Sequence, residues 1–356
     1  MTTRPALRTL DVVVVGAGQG GLSAAWFLER AGLRPGRDFT VLDGGEAPGG
    51  AWRHRWPSLR MERVHGVHDL PGLPMGHVDP RERAADVVPD YFAAYEELLG
   101  HPVERPVHVL EVRRGGPRLL VVTDAGTVAA RAVVSATGTW SRPFCPWYPG
   151  RDVFAGRQLH TAQYRGPEEF RGQRVVVVGG GASAVEHLLE LDGVAETTWV
   201  TRGELRVRED FADEAVRREA VAVVADRVAA GRPPGSVVSA TGLVLTPQVA
   251  ALRERGLLHR RPPPRRLVAD GLEWDDGTRL PVDAVLWATG FRPALDHLRP
   301  LRLRERGGGV RVAGTRAVAE PRLHLVGYGP SASTVGASRA AREAVRELVR
   351  DVLAGR

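Results

Sequence analysis

The sequence predicts an α/β protein made of two Rossmann-like dinucleotide-binding units, and three observations predict it. A run of four valines, a glycine-rich turn and an apolar pattern of helical period occur together from Val12 to Gly32. The same succession recurs from Val175 to Leu191. Each is followed by another short apolar strand, Phe39–Asp43 ending in an acid and Thr197–Arg202 ending in a base. Four consecutive valines suit a strand buried on both faces, as in a parallel sheet.

The remaining elements follow in order. Val107–Val112 and Leu119–Thr123 alternate around Gly115-Gly116-Pro117 and read as a β-hairpin. Ala130–Ser135 is a third strand running into Ala136-Thr137-Gly138. Residues 141–150 contain three prolines and read as a connector. A mixed-charge helical pattern covers 208–231, and the prolines of 261–266 make a stiff loop. Asp283–Leu286 leads into Trp287-Ala288-Thr289-Gly290-Phe291. Leu323–Gly327 is the last strand, and a helix runs from about Thr334 to Leu353.

Composition excludes several classes. Of 356 residues 43% are apolar and 26% charged, the proportions of a folded globular chain. No apolar run approaches the roughly 20 residues of a membrane helix, and the N-terminus lacks the apolar core of a secretory leader. A cytoplasmic enzyme is the expectation. Cys145 is the single cysteine, so no internal disulfide or CxxC redox pair can form. The histidines show no ligand spacing, so no metal site is expected. The net charge of +7 does not imply nucleic acid: all 49 basic residues are arginine, dispersed among 42 acids. Lysine, asparagine and isoleucine are absent altogether, which points to GC-rich coding.

The glycine turns carry the chemistry. In Gly16-x-Gly18-x-x-Gly21 the first glycine makes the turn, the second admits a pyrophosphate to the backbone, and the third lets helix and strand pack. Gln19 lies within the motif. The helix N-terminus then offers free N–H groups and partial positive charge to phosphate. Asp43 sits where an acid hydrogen-bonds ribose hydroxyls and repels a 2′-phosphate, which suits FAD or NAD. The second turn, Gly179-x-Gly181-x-x-Ala184 with Ser183 inside it, lacks that acid. Thr201-Arg202 stands in its place, and Arg202 can pair with a 2′-phosphate, which favours NADPH. Two dinucleotide sites in one chain imply electron transfer between two cofactors, and FAD is the natural second one.

Further segments resemble the class B flavoprotein monooxygenases, the group of flavin-containing and Baeyer–Villiger enzymes, and are most like its short bacterial members. They are Gly49-Gly50-Ala51-Trp52, the Leu70–Pro74 loop, Ala136-Thr137-Gly138 with its prolines, Trp287–Phe291 and Val326-Gly327-Tyr328-Gly329. Phe154-x-Gly156-x-x-x-His160-x-x-x-Tyr164 is similar to the group's fingerprint at every fixed position. Trp56 and Ser58, after the Gly49–Trp52 segment, depart from the group's pattern, standing where Baeyer–Villiger enzymes usually have Tyr and Gly. Ala240-Thr241-Gly242 matches no family position.

The resemblance implies an NADPH-binding domain over 156–283, inserted into an FAD-binding domain formed by 1–155 and 284–356. It implies that Gly50 and Trp52 line the flavin. Ala136, Thr137, Gly138, Thr289 and Gly290 would lie at the crossings, with Gly327, Tyr328 and the helix start at Thr334 beside the flavin. Val109 is placed against adenine or in the core. His160 and Tyr164 are placed at the domain link rather than as an acid or base. The implied activity is an FAD- and NADPH-dependent monooxygenase acting on a small molecule with O₂ through a C4a-(hydro)peroxyflavin, in a possible homodimer. An NADPH-dependent flavin oxidoreductase without oxygenation is the alternative.

Overall fold

The computed structural model describes residues 7–64, 67–204, 207–208, 214–235, 243–244 and 246–353. Both valine runs form strands, Arg8–Val15 and Arg174–Val178. Their side chains alternate between two cores. Val12 and Val14 point into one apolar cluster and Val13 and Val15 into another, while Val175/Val177 and Val176/Val178 divide in the same way. No residue of either run is more than 8% exposed. Full burial stabilises by roughly 1.5–3 kcal/mol per valine, so each run anchors its sheet from both sides.

The first sheet has the order Val312–Ala313, Arg316–Ala317, Leu323–Leu325, Gly126–Ser135, Arg8–Val15, Phe39–Leu42. Its last four strands are parallel, with Val15 beside Leu42 on one side and Ser135 on the other. The hairpin of Val109–Gly115 and Arg118–Thr123 is present, but it continues into a third strand. That strand begins at Gly126 rather than Ala130, because its first half pairs with the hairpin and most of its length also pairs with Arg8–Val15. Helices Gln19–Arg30 and Thr334–Leu353 pack together over one face.

The middle of the chain builds a separate parallel sheet. Its order is Arg260–Arg261, Glu196–Val200, Arg174–Val178, Ala284–Trp287, Arg157–His160. This moves the expected division at residue 284. Ala284–Trp287 pairs on both edges with strands of the second sheet, all four residues are buried, and the chain returns to the first sheet only afterwards. The proline-rich 261–266 segment is likewise not all loop. Arg260–Arg261 extends the second sheet, and Arg266 opens a small antiparallel sheet of three strands. Of the mixed-charge pattern at 208–231, a helix is described over Glu214–Ala229. Ala240–Gly242 lies outside the described residues.

The outgoing and returning segments between the sheets run side by side. Phe144 N–H donates to Gly290 O at 3.0 Å, Arg292 N–H to Arg142 O at 2.8 Å, and Ala294 N–H to Gly138 O at 2.9 Å. Thr137 Oγ1 donates to Ala294 O at 2.8 Å, Thr289 Oγ1 donates to Phe144 O, and Arg142 pairs with Asp296. Among the described residues no helix is long and apolar enough to cross a membrane.

Candidate functional site

Each valine strand ends in a tight turn that closes on a neighbouring backbone. Gly16 has φ +98°, and a Cβ there would lie 2.7 Å from Ala136 O. Gly21 has no room at all, since its Cβ would fall 1.7 Å from Gly16 O. A Cβ on Gly18, by contrast, meets nothing within 4 Å. Gly18 caps helix Gln19–Arg30 without any side-chain hydrogen bond, so no cap side chain satisfies the first-turn N–H groups. Gly16 thus makes the turn, and Gly21 lets helix and strand pack closely.

The groups around this first cradle converge. Gly50, at φ +50°, would bring a Cβ 3.3 Å from Gly18 Cα. Asp43 accepts Ala17 N–H at 2.5 Å and Gly45 N–H at 2.6 Å, so its carboxylate ties the glycine turn to the end of the second strand. Gln19 donates to His68 O and Ser338 Oγ, while its Oε1 is buried without a partner. Ser338 also bonds Ser23, which brings the first turns of the C-terminal helix alongside the cradle. The Thr334 side chain lies outside the described set. Gly327 N–H donates to Ser331 Oγ. The Tyr328 ring sits in the second core cluster and its hydroxyl accepts Val310 N–H at 2.9 Å, so its side chain braces the fold. Val109 is half-buried against that same core cluster.

The second cradle repeats the pattern. Gly179, at φ +148°, would place a Cβ 2.1 Å from Ala288 O, and Gly181 faces open space. Gly181 caps helix Ala182–Leu191 with no side-chain bond. Ser183 is half-buried and Ala184 is buried. The following strand ends at Val200, two residues earlier than expected, so Thr201 and Arg202 emerge beyond it. Thr201 Oγ1 lies 2.8 Å from a Cβ built on Gly180, and Arg202 is exposed. Both cradles thus present an uncapped helix start behind a glycine with empty space in front, the shape and polarity a pyrophosphate requires.

Between the cradles lies an aromatic chain. His54 stacks on Trp140 at 5.7 Å, Trp140 on Phe291 at 5.0 Å, and Phe291 meets the edge of His160 at 4.9 Å. His160 Nε2 donates to Gly290 O at 2.9 Å and its Nδ1 accepts Ala162 N–H at 3.1 Å. Burial pushes its pKa down. With both nitrogens held by backbone, it joins the fingerprint to the returning segment as a neutral ring.

Tyr164 belongs to a buried polar cluster that sequence reasoning missed. Glu190, from the second cradle's helix, accepts from Trp56 Nε1 at 3.0 Å, Ser58 Oγ at 2.7 Å and Tyr164 Oη at 2.9 Å, with Arg63 at 3.7 Å. Trp56 and Ser58 are the two departures from the family pattern, and both donate to this one carboxylate. His187, fully enclosed, bonds Thr161 Oγ1 at 3.1 Å, and burial pushes its pKa down to about 3. Burial raises Glu186 to about 7, against the opposing charge of Arg63. Cys145 is half-buried, and burial raises its thiol pKa. No cluster of three potential metal ligands exists among the described residues.

Comparison with known proteins agrees with this geometry. A family profile described as pyridine nucleotide-disulphide oxidoreductase matches residues 13–221. A flavin-containing monooxygenase from Stenotrophomonas maltophilia is similar over 97% of this chain and 99% of its own, at 42% identity and a TM-score of 0.81. A Baeyer–Villiger monooxygenase of Streptomyces coelicolor is 33% identical over 184 residues, of which this chain spans only 34% of that protein. A cyclohexanone monooxygenase shares the fold at 18% identity and a TM-score of 0.65.

Proposed function

The chain belongs to the pyridine nucleotide-disulphide oxidoreductase family, within its flavin monooxygenase branch, and from that premise we propose that it is an FAD- and NADPH-dependent monooxygenase of small molecules. The disulphide chemistry in the family's description has no counterpart here, because Cys145 stands alone. The observation that carries the reading is the pair of open, uncapped helix starts behind Gly18 and Gly181 in one chain.

The first cradle would hold FAD, with the orphaned Gln19 Oε1 and the open face of Gly18 receiving it. The second would hold NADPH, with Arg202 at the 2′-phosphate. Bound flavin supplies the hydride acceptor and the centre at which dioxygen is activated for transfer to a nitrogen, sulfur or carbonyl centre. The protein's own residues bind, orient and exclude water. None of them need hold a reacting proton, which fits a histidine, His160, with both nitrogens committed to backbone.

The test is direct. Purified protein reconstituted with FAD should bleach near 450 nm when NADPH is added under nitrogen. On admission of ¹⁸O₂ it should place one labelled oxygen in a thioether or ketone substrate. Bleaching with no label in any product would support the plain oxidoreductase instead. Failure to retain FAD would end both readings.

A further inference from the structure

Among the described residues Arg55 is a cation without a counter-ion. It follows the Gly49–Trp52 segment, and its guanidinium lies over the ring of Trp52 at 5.2 Å and that of Trp140 at 5.5 Å. Its Nε is buried with no hydrogen-bond partner. Among the described residues it makes no ion pair, whereas Arg105, whose Nε is likewise buried and without a partner, pairs with Glu96. A half-buried charge loses hydration, and two indole faces return only part of it. A bound anion would supply the remainder.

The position narrows the choice. Trp52 belongs to the segment closing the first cradle, and Trp140 follows the Ala136–Gly138 crossing that contacts Gly16. Trp140 stacks on Phe291, which follows the crossing at the second cradle. Arg55 therefore stands at the junction, walled by indoles. The pyrophosphates already have their own helix starts, and a 2′-phosphate has Arg202. Arg55 is matched to neither.

We propose that Arg55, caged by Trp52 and Trp140, is the anchor for the carboxylate of the substrate, and that this enzyme acts on small organic acids. The inference rests on the monooxygenase reading for the word substrate, but the binding site stands on geometry alone. A carboxylate can take two parallel N–H bonds from a guanidinium held in place by indole faces.

The test uses FAD-loaded protein, with benzoate and its neutral counterpart benzamide as probes, followed by tryptophan fluorescence and by perturbation of the flavin spectrum. Benzoate should bind saturably and at least tenfold more tightly than benzamide. Arg55→Gln should abolish that preference and Arg55→Lys should retain part of it. Equal affinity of wild type for the two probes would overturn the proposal, with no variant needed. So would an Arg55→Gln protein that keeps the preference, or one in which only NADP⁺ binding weakens, which would assign the cation to the nucleotide. Anaerobic bleaching by NADPH is run on the same samples. Its failure would strike the monooxygenase reading while leaving the carboxylate site to be judged on binding.

Discussion

Glu190→Ala should destabilise the protein by about 3–5 kcal/mol, the range for breaking one side of a buried charged network. The figure can be built from the geometry. Trp56 Nε1 and Tyr164 Oη donate to Glu190 from side chains that are 3% and 1% exposed. Stranding a buried donor costs roughly 1–3 kcal/mol, so these two together cost about 2–6. Ser58 is only half-buried and can turn to water, which adds little. Arg63 at 3.7 Å also loses its anion. Glu190→Gln should be milder, about 1–2 kcal/mol, because its amide oxygen can still take the indole N–H while its NH₂ donates to hydroxyls that can reverse their role. Urea unfolding followed by tryptophan fluorescence measures both. An alanine variant within 0.5 kcal/mol of wild type, taken as roughly the error of such comparisons, would refute the reasoning. So would a glutamine variant as costly as alanine.

Three further outcomes follow from the cradles and their helix. Gly18→Ala should fold normally but lose FAD affinity, whereas Gly21→Ala should fail to fold stably, because one Cβ meets open space and the other lies 1.7 Å from Gly16 O; FAD titration beside thermal melting separates them. Arg202→Ala should raise the KM for NADPH at least tenfold more than that for NADH, and equal changes would remove Arg202 from the 2′-phosphate. Glu186, raised by burial from 4.5 to about 7, holds its proton more tightly when folded, so its contribution is present below pH 4.5 and fades as pH rises to 7. Glu186→Gln should therefore match wild type at pH 4.5 and exceed it by roughly 1–2 kcal/mol above pH 7, after allowance for solvent screening. His187 slopes the opposite way below its ordinary value, so the difference between variant and wild type is the quantity to measure.

Much of this was legible because local rules and the global fold coincide. The valine runs announced doubly buried strands, and each glycine of the first cradle sits where its motif requires. The strand boundaries were less legible. Ala284–Trp287 looked like the start of the returning segment because Ala-Thr-Gly follows it, and only pairing with Arg157–His160 and Arg174–Val178 reveals its sheet. The surroundings of the Tyr328 ring were not legible from its motif either, since they come from Val310 and the core of the first sheet, set by the fold. Glu190 was invisible for a physical reason. Its partners lie 26 to 134 residues away in sequence, and no spacing rule connects them. The departures at Trp56 and Ser58 were the available signal, since two new donors placed together ask for an acceptor.

The hydrogen bond between Phe144 and Gly290 has a consequence for how such a chain is put together. The segment leaving the first sheet and the segment returning toward it pass 3.0 Å apart, atom to atom. To the first sheet, everything between is one long hairpin tip. Closing such a tip becomes only about 0.6 kcal/mol harder with each doubling of its length. An ancestral sheet could thus acquire an entire second nucleotide binder at that point without moving a strand, and a protein engineer could replace it by the same route, trimming at Arg142 and Arg292 and sealing the gap with a short turn.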